Sequence, residues 1–281
     1  MEQNKELKQQ QQQTGVQGLR QLTQQPGIQR KLQEVLGTPQ KASKFCSALI
    51  TIANGNTQLR QADPQSIMGA AMVAATLGLD IVPTLGLAYV IPYGRQAQFQ
   101  IGYRGLVQLM QNTGKMRRIV TATVYEGELV RGNRFTEEYE FDETCRQSDT
   151  VIGYMAMFET TSGFCKTAYW TREQVEQHAR KYSQAFQRGY QNSPWVSNFD
   201  QMAQKTVLKS ICKWAPQSTE LLQAQQFDQA VVDTSQAGFD GEEVDMDALT
   251  PEYVDNPNGG TQRQSAKSKL NKLAEEQAAK E

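Results

Sequence analysis

The stretch that decides the fold is residues 83–126, PTLGLAYVIPYGRQAQFQIGYRGLVQLMQNTGKMRRIVTATVYE. Leu87–Tyr93 reads as a strand, Gly94-Arg95 as a tight turn and Gln96–Ile101 as the return strand. The return strand alternates, with Ala97, Phe99 and Ile101 on one face and Gln96, Gln98 and Gln100 on the other. Pro92 has no amide hydrogen for a ladder, so the first strand belongs at a sheet edge or beside a bulge. A helix follows, with Leu106, Leu109 and Met110 apolar and Gly114 ending it. Lys115, Arg117 and Arg118 crowd the start of the next strand, Ile119–Tyr125. The stretch carries aromatics, amides and cations, but few carboxylates and no histidine. That chemistry suits an anionic polymer better than hydrolysis.

Upstream, residues 1–40 are Gln-rich and interrupted by Pro26, Gly27, Gly37 and Pro39, which predicts a flexible terminus with one short helix near 28–36. Phe45, Leu49 and Ile52 then recur at helical spacing. Asp63 and Pro64 are an N-cap and first-turn pair, and Gly78 is a stop. Between them Gly69, Ala70, Ala71, Ala74 and Ala75 predict a tightly packed helix.

Downstream, three more strands are expected at Arg134–Asp142, Val151–Glu159 and Phe164–Trp170, the last two joined as a hairpin by Thr161-Ser162-Gly163. Thr171 and Gln174 form a capping box for a helix with the stripe Val175, Ala179, Tyr182 and Phe186. A last core helix is expected from about Trp195 to Trp214, with Ala203, Val207, Ile211 and Trp214 as its apolar stripe. Lys205, Lys209 and Lys213 form a cationic column on it at i, i+4, i+8. Like charges at that spacing repel, and a bound polyanion would turn the cost into a gain. Helices, a meandering sheet, then helices define an α+β class: an antiparallel meander with its hairpin, packed by helices, with flexible termini.

The 281 residues carry a formal net charge of −1 that hides an asymmetry. Residues 1–213 hold 24 Lys and Arg against 17 Asp and Glu, a net of +7, and residues 214–281 are net −8. A basic body and an acidic tail suggest nucleic acid for the first and a separate role for the second, with a solvated surface plus linker as the alternative. Residues 221–262 read as an acidic, disordered linker, and within the short C-terminal segment 263–281 Ser265–Lys280 suits a helix that is marginal alone, with a binding role and no fixed structure as the two alternatives. The four cysteines, Cys46, Cys145, Cys165 and Cys212, are scattered without metal spacing, as free thiols of a reducing cytoplasm would be. With neither a signal peptide nor a membrane-spanning run, a soluble intracellular protein is expected.

Motifs for common chemistries are missing. There is no GxxxxGK[ST] loop, and the only histidine, His178, has no partner spacing for zinc. Carboxylates between Glu126 and Glu143 lie along two strands and a turn, rather than converging from separate elements as a two-metal nuclease requires. A single strand instead needs a groove of Lys and Arg with aromatics near the bases. The cations fall in three segments. Arg104 with Lys115, Arg117 and Arg118 is one, Arg172 with Arg180 another, and Lys205, Lys209 and Lys213 the third. Tyr103 and Trp195 are the aromatics beside them, each with core packing as its alternative. The glutamine face of the hairpin could reach phosphates or bases, or simply face solvent.

Several segments in order resemble the RecT family of phage and prophage single-strand annealing proteins. They are DPQSIMGAAMVAATLGLDIVP (63–83), LGLAYVIPYG (85–94), FQIGYRGLVQLMQNTG (99–114), VYEGE (124–128) and SPWVSNFDQMAQKTVLKSICKWAPQS (193–218). Together they cover about residues 42–220 and make 41–220 the expected DNA-binding and oligomerising core. The resemblance implies an ATP-independent protein that binds single-stranded DNA, anneals complementary strands and holds the annealed duplex. It implies no covalent catalysis and no cofactor, with Mg2+ only a modulator of annealing. It also implies homo-oligomeric rings or helical filaments in a bacterial cytoplasm, a phage exonuclease as partner, and host single-strand-binding protein as a second partner through the C-terminal region. Arg104, Lys115, Arg117, Arg118, Lys205 and Lys209 lie in or beside the shared motifs, whereas Arg172 and Arg180 rest on charge alone. The rival classes are a metal-dependent nuclease of a recombination system and a purely structural oligomer.

Overall fold

The computed structural model describes residues 15–189, 193–239, 241 and 243–253. The start of the Gln-rich terminus and the C-terminal segment 263–281 lie outside them. The described chain forms two compact units, one from Tyr103–Leu221 and the other from the described residues before and after it.

In the first unit, helices α1 (15–24), α2 (Pro26–Leu36), α3 (Pro39–Gly55) and α4 (Pro64–Thr76) precede strands β1 (Ala88–Tyr93) and β2 (Gln96–Ile101). Helix α4 starts as its sequence requires: Asp63 Oδ2 accepts the Ser66 N–H at 2.8 Å, and Pro64 opens the first turn. Every residue from Ser66 to Ala75 is buried, because the helix lies on β1, β2 and a further strand, β8 (Ala230–Asp233). Its small residues permit that approach. A Cβ added at Gly69 would fall 2.6 Å from Thr234 Cγ2.

The sheet order is β1-β2-β8-β9, with β9 at Thr250–Glu252, so β1 and its Pro92 sit at the edge that the missing amide hydrogen demands. On β2, Ala97, Phe99 and Ile101 are fully buried. The glutamine face is less open than the alternation predicts. Gln98 is buried and pairs across to Val231.

Two expectations for the ends are corrected here. The N-terminal region is not a flexible segment with one short helix: from residue 15 it is helical, with Leu19, Ile28 and Leu32 in the core. The acidic stretch from 221 is not a linker up to residue 253. Helix α10 (Thr219–Phe227), β8 and β9 are built from it, and Ala230, Val231, Val232, Phe239 and Leu249 are buried. The apolar run Ala230–Val232 is short but fully buried, which the net charge of the surrounding stretch conceals.

The second unit begins with α5 (Tyr103–Asn112) and β3 (Met116–Tyr125). The expected strand Arg134–Asp142 is instead a hairpin of β4 (Leu129–Asn133) and β5 (Glu138–Phe141). Strands β6 (Val151–Thr160) and β7 (Cys165–Thr171) complete a sheet of order β3-β6-β7, antiparallel throughout. Helix α6 (Arg172–Tyr182) has the predicted capping box, but it ends at Tyr182, which is exposed. Phe186 belongs to a separate short helix, α7 (Gln184–Gln187). The last long helix is also divided. Asn198 separates α8 (Pro194–Ser197) from α9 (Phe199–Cys212), which lies along β6, β7 and β3 through Ala203, Val207, Leu208 and Ile211. Trp214, the expected end of that stripe, lies past the helix and is 54% exposed.

A candidate nucleic-acid interface

Strand β7 is an edge strand, and a cleft of about 470 Å³ follows it. One wall is the β4–β5 hairpin, which supplies Arg134, Glu137 and Tyr139. The other is the end of α9 and the residues after it: Ser210, Ile211, Lys213 and Trp214. The floor is β7 itself, from Lys166 to Trp170. Because side chains alternate along a strand, Lys166 and Trp170 come from one face of β7 and Tyr169 from the other. The cleft therefore wraps around the sheet edge.

Its chemistry is cationic and aromatic. Arg134, Lys166 and Lys213 face one carboxylate, Glu137, which is already ion-paired with Lys166. Lys166 Nζ also lies 4.3 Å from the Trp214 ring centroid, and Lys213 Nζ 5.8 Å from it. The opposite wall is fixed by packing. Tyr139 and Phe141 each hold their rings 6.1 Å from Tyr169, whose hydroxyl donates to the Ile152 carbonyl at 3.3 Å. Burial raises the pKa of both tyrosines, so each stays a neutral donor at physiological pH.

The exposed Lys115, Arg117 and Arg118 stand at one end of the same sheet. Glu159 partners both arginines, Arg117 at 2.9 Å and Arg118 at 3.5 Å. The register runs Arg118, Glu159, Cys165 across β3, β6 and β7, with Lys166 next along β7. Two strand spacings, about 10 Å, thus separate the backbone at Arg118 from the end of the cleft.

The remaining predicted residues fall elsewhere. Arg104 is exposed at the start of α5, with Nε 3.5 Å from the Tyr103 hydroxyl. Arg172 pairs with Glu176 at 3.3 Å and lies 5.0 Å over Phe199, and Arg180 lies 5.8 Å over Phe186. Lys209 is half-buried and close enough to His178 to oppose its protonation.

Two site expectations fail on burial. Lys205 is 6% exposed, so the Lys205-Lys209-Lys213 column does not form one solvent face. Trp195 is 7% exposed and is held among Phe186, Phe199 and His178 at 5.6–6.4 Å. It is a core residue and offers no face to a base. Arg134, Tyr139, Lys166, Tyr169 and Trp214 line the cleft without belonging to any of the three cationic segments of the sequence. The usable signal was the spacing of Lys166 and Trp170 on a strand edge, which puts a cation and an aromatic on the same face.

The fold is one of helices and open antiparallel sheets, and its cationic, aromatic-lined cleft has the chemistry that suits a polyanion. The sequence comparisons narrow the class: the model of the RecT family matches residues 43–245, and the chain belongs to that family of DNA-annealing recombination proteins. It is 43% identical over 200 residues to the uncharacterized protein YqaK of Bacillus subtilis (strain 168), covering 71% of this chain and 68% of that one. It is 25% identical over 248 residues to protein RecT of Escherichia coli (strain K12), covering 83% and 86%. Among the described residues, no group of three or more His, Cys, Asp or Glu is arranged to hold a metal ion, and no helix is long and apolar enough to cross a membrane.

Proposed function

We propose that this chain binds single-stranded DNA along the cationic end and edge of its β3-β6-β7 sheet and anneals it to a complementary strand without ATP. The observation that carries this reading is the cleft along β7, where three cations and four aromatics meet one carboxylate already engaged by Lys166. Lys115, Arg117 and Arg118 continue the positive surface across the sheet end. Annealing requires no bond to be made or broken by the protein. Its barriers are repulsion between phosphate backbones and the search for register. Cations lower the first, and Watson–Crick pairing supplies all the sequence specificity.

The protein acts as a homo-oligomer, a ring or helical filament that presents the surface continuously, in phage-type recombination within a bacterial cytoplasm. A phage exonuclease supplies the single strand, and the C-terminal region meets host single-strand-binding protein. Mg2+ modulates annealing by screening phosphates and is not a resident cofactor.

Single-strand affinity measured from 50 to 500 mM salt tests the binding step. The expected log–log slope is about −0.7 per phosphate contacted. Replacing Lys115, Arg117 and Arg118 together should make it shallower by about two units. A flat response in the unmodified protein would sink the groove. Electron microscopy with one oligonucleotide, then with its complement, tests assembly: filaments should form or lengthen once both strands are present.

A further inference from the structure

We infer that the cleft beside β7 is a base-binding subsite, in which one nucleobase of a single strand leaves its neighbours and stacks on Trp214. This rests on the single-strand-binding reading above and adds a way to tell a strand awaiting its partner from one already paired. Tyr154, Phe158 and Trp195 of this unit are buried, and of its exposed aromatics, Phe135, Phe164, Tyr182 and Trp214, it is Trp214 that lines the cleft. Trp214 is 54% exposed and follows the last turn of α9 instead of lying under it.

Two ammonium groups flank that exposed ring, Lys166 at 4.3 Å and Lys213 at 5.8 Å from its centroid. A base on the ring would therefore have its own phosphates within reach of two cations. Lys166 is ion-paired with Glu137, whose side chain is 32% exposed, so an arriving phosphate exchanges one anionic partner of Lys166 for another and releases the Glu137 carboxylate toward solvent. Across the cleft, Tyr169, its hydroxyl held by the Ile152 carbonyl, and Tyr139 supply a second aromatic wall, and the neutral Tyr139 hydroxyl suits base edges without selecting one base. The volume of about 470 Å³ lies in the range, roughly 300–1,000 Å³, that encloses small organic ligands.

A base in a duplex cannot use this site. Both of its faces are covered by its neighbours and its edge is paired. The subsite therefore favours single strands, and pairing with a complement draws the base back out. Held strands are offered for pairing, and paired strands keep only their phosphate contacts.

The test uses the full chain, a thymidine oligonucleotide, the same oligonucleotide with abasic residues at alternate positions, and a pre-annealed duplex. In the unmodified protein, affinity should fall roughly tenfold or more from the intact to the abasic strand. Trp214→Ala should weaken binding of the intact strand by a similar factor and leave the abasic strand and the duplex unchanged. Trp214→Phe, which keeps an aromatic face, should recover most of the loss. Tryptophan fluorescence should be quenched by the intact strand, and much less so in Trp214→Phe. If Trp214→Ala weakens intact and abasic strands equally, the subsite is wrong while the groove stands. If the unmodified protein binds no single strand at low salt, both readings fall.

Discussion

Asp228 Oδ1 accepts the backbone N–H of Ile101 at 3.1 Å, joining two residues 127 positions apart in the chain. Beside it the Gln229 N–H donates to the Phe99 carbonyl at 2.8 Å, and Val231 pairs with Gln98. The acidic C-terminal stretch thus completes the sheet that the central hairpin begins. Asp228 is buried, so Asp228→Ala leaves the Ile101 N–H without its acceptor. A loss of about 1–3 kcal/mol is expected in urea unfolding, with Asp228→Asn losing less because it keeps an acceptor oxygen. Ending the chain after Leu221 should abolish cooperative unfolding, since β8 and the cover over Gly69 go with it. Ending it after Tyr253 should not. Equal melts for the two truncations would refute the sheet order.

Lys205 and Lys213 lie two helical turns apart, yet they should behave as different kinds of residue. Lys205 is buried on α9 and is not without interactions there. Lys205→Ala removes a buried stem as well as a charge, and about 1–3 kcal/mol of stability should go with it. Lys213→Ala should leave the melting temperature within a degree or two and make the salt slope for single strands shallower by about 0.7. Were Lys205→Ala to melt like the unmodified protein while losing DNA affinity, the burial would be wrong.

The difference between those two lysines shows what the sequence can and cannot carry. Many local signals were legible, although the expected stripe through Tyr182 and Phe186 and the unbroken helix across Asn198 were not borne out. The Asp63-Pro64 start of α4, the Gly94-Arg95 turn, the capping box at Thr171 and the alternation of Ala97, Phe99 and Ile101 all recur in the structure. Sheet membership of β8 was not legible, because pairing over more than a hundred residues leaves no periodic mark near Ala230. The cleft was only partly legible. Lys213 was visible as a surface cation, but Arg134, Lys166 and Trp214 come from a hairpin, an edge strand and a helix end, which only the tertiary fold brings together. Lys205 was misplaced because a helical period of four drifts around the helix. Residues at i and i+8 then face different surroundings.

The thiols offer a separate check on packing. Cys145 and Cys165 are exposed, while Cys46 and Cys212 are buried. Burial pushes the Cys212 thiol up to about 12, against a small opposing pull from Lys209, and its Sγ lies 3.6 Å from Met110 Sδ. Burial raises Cys46 as well. At pH 8 neither buried group is a thiolate to any useful extent. An aromatic disulfide reagent should therefore release two equivalents quickly from the native protein and all four only in denaturant. A third fast equivalent would mean that α9 or α3 opens readily.

His178 should set an acid limit on stability. Its ring lies 4.6 Å from Tyr182 and 5.6 Å from Trp170, and burial lowers its pKa below the ordinary 6.5, with Lys209 and Lys181 acting in the same direction. The folded chain therefore binds this proton less readily than the unfolded chain does. Stability from neutral His178 is complete above the unfolded value, near 6.5, and is lost as pH falls through the lower folded value. His178→Phe, which keeps an aromatic ring but cannot be protonated, should flatten the stability profile between pH 6.5 and pH 5. Urea unfolding at half-unit steps across that range measures it. Identical slopes for the two proteins would show that His178 takes up its proton without penalty in the fold.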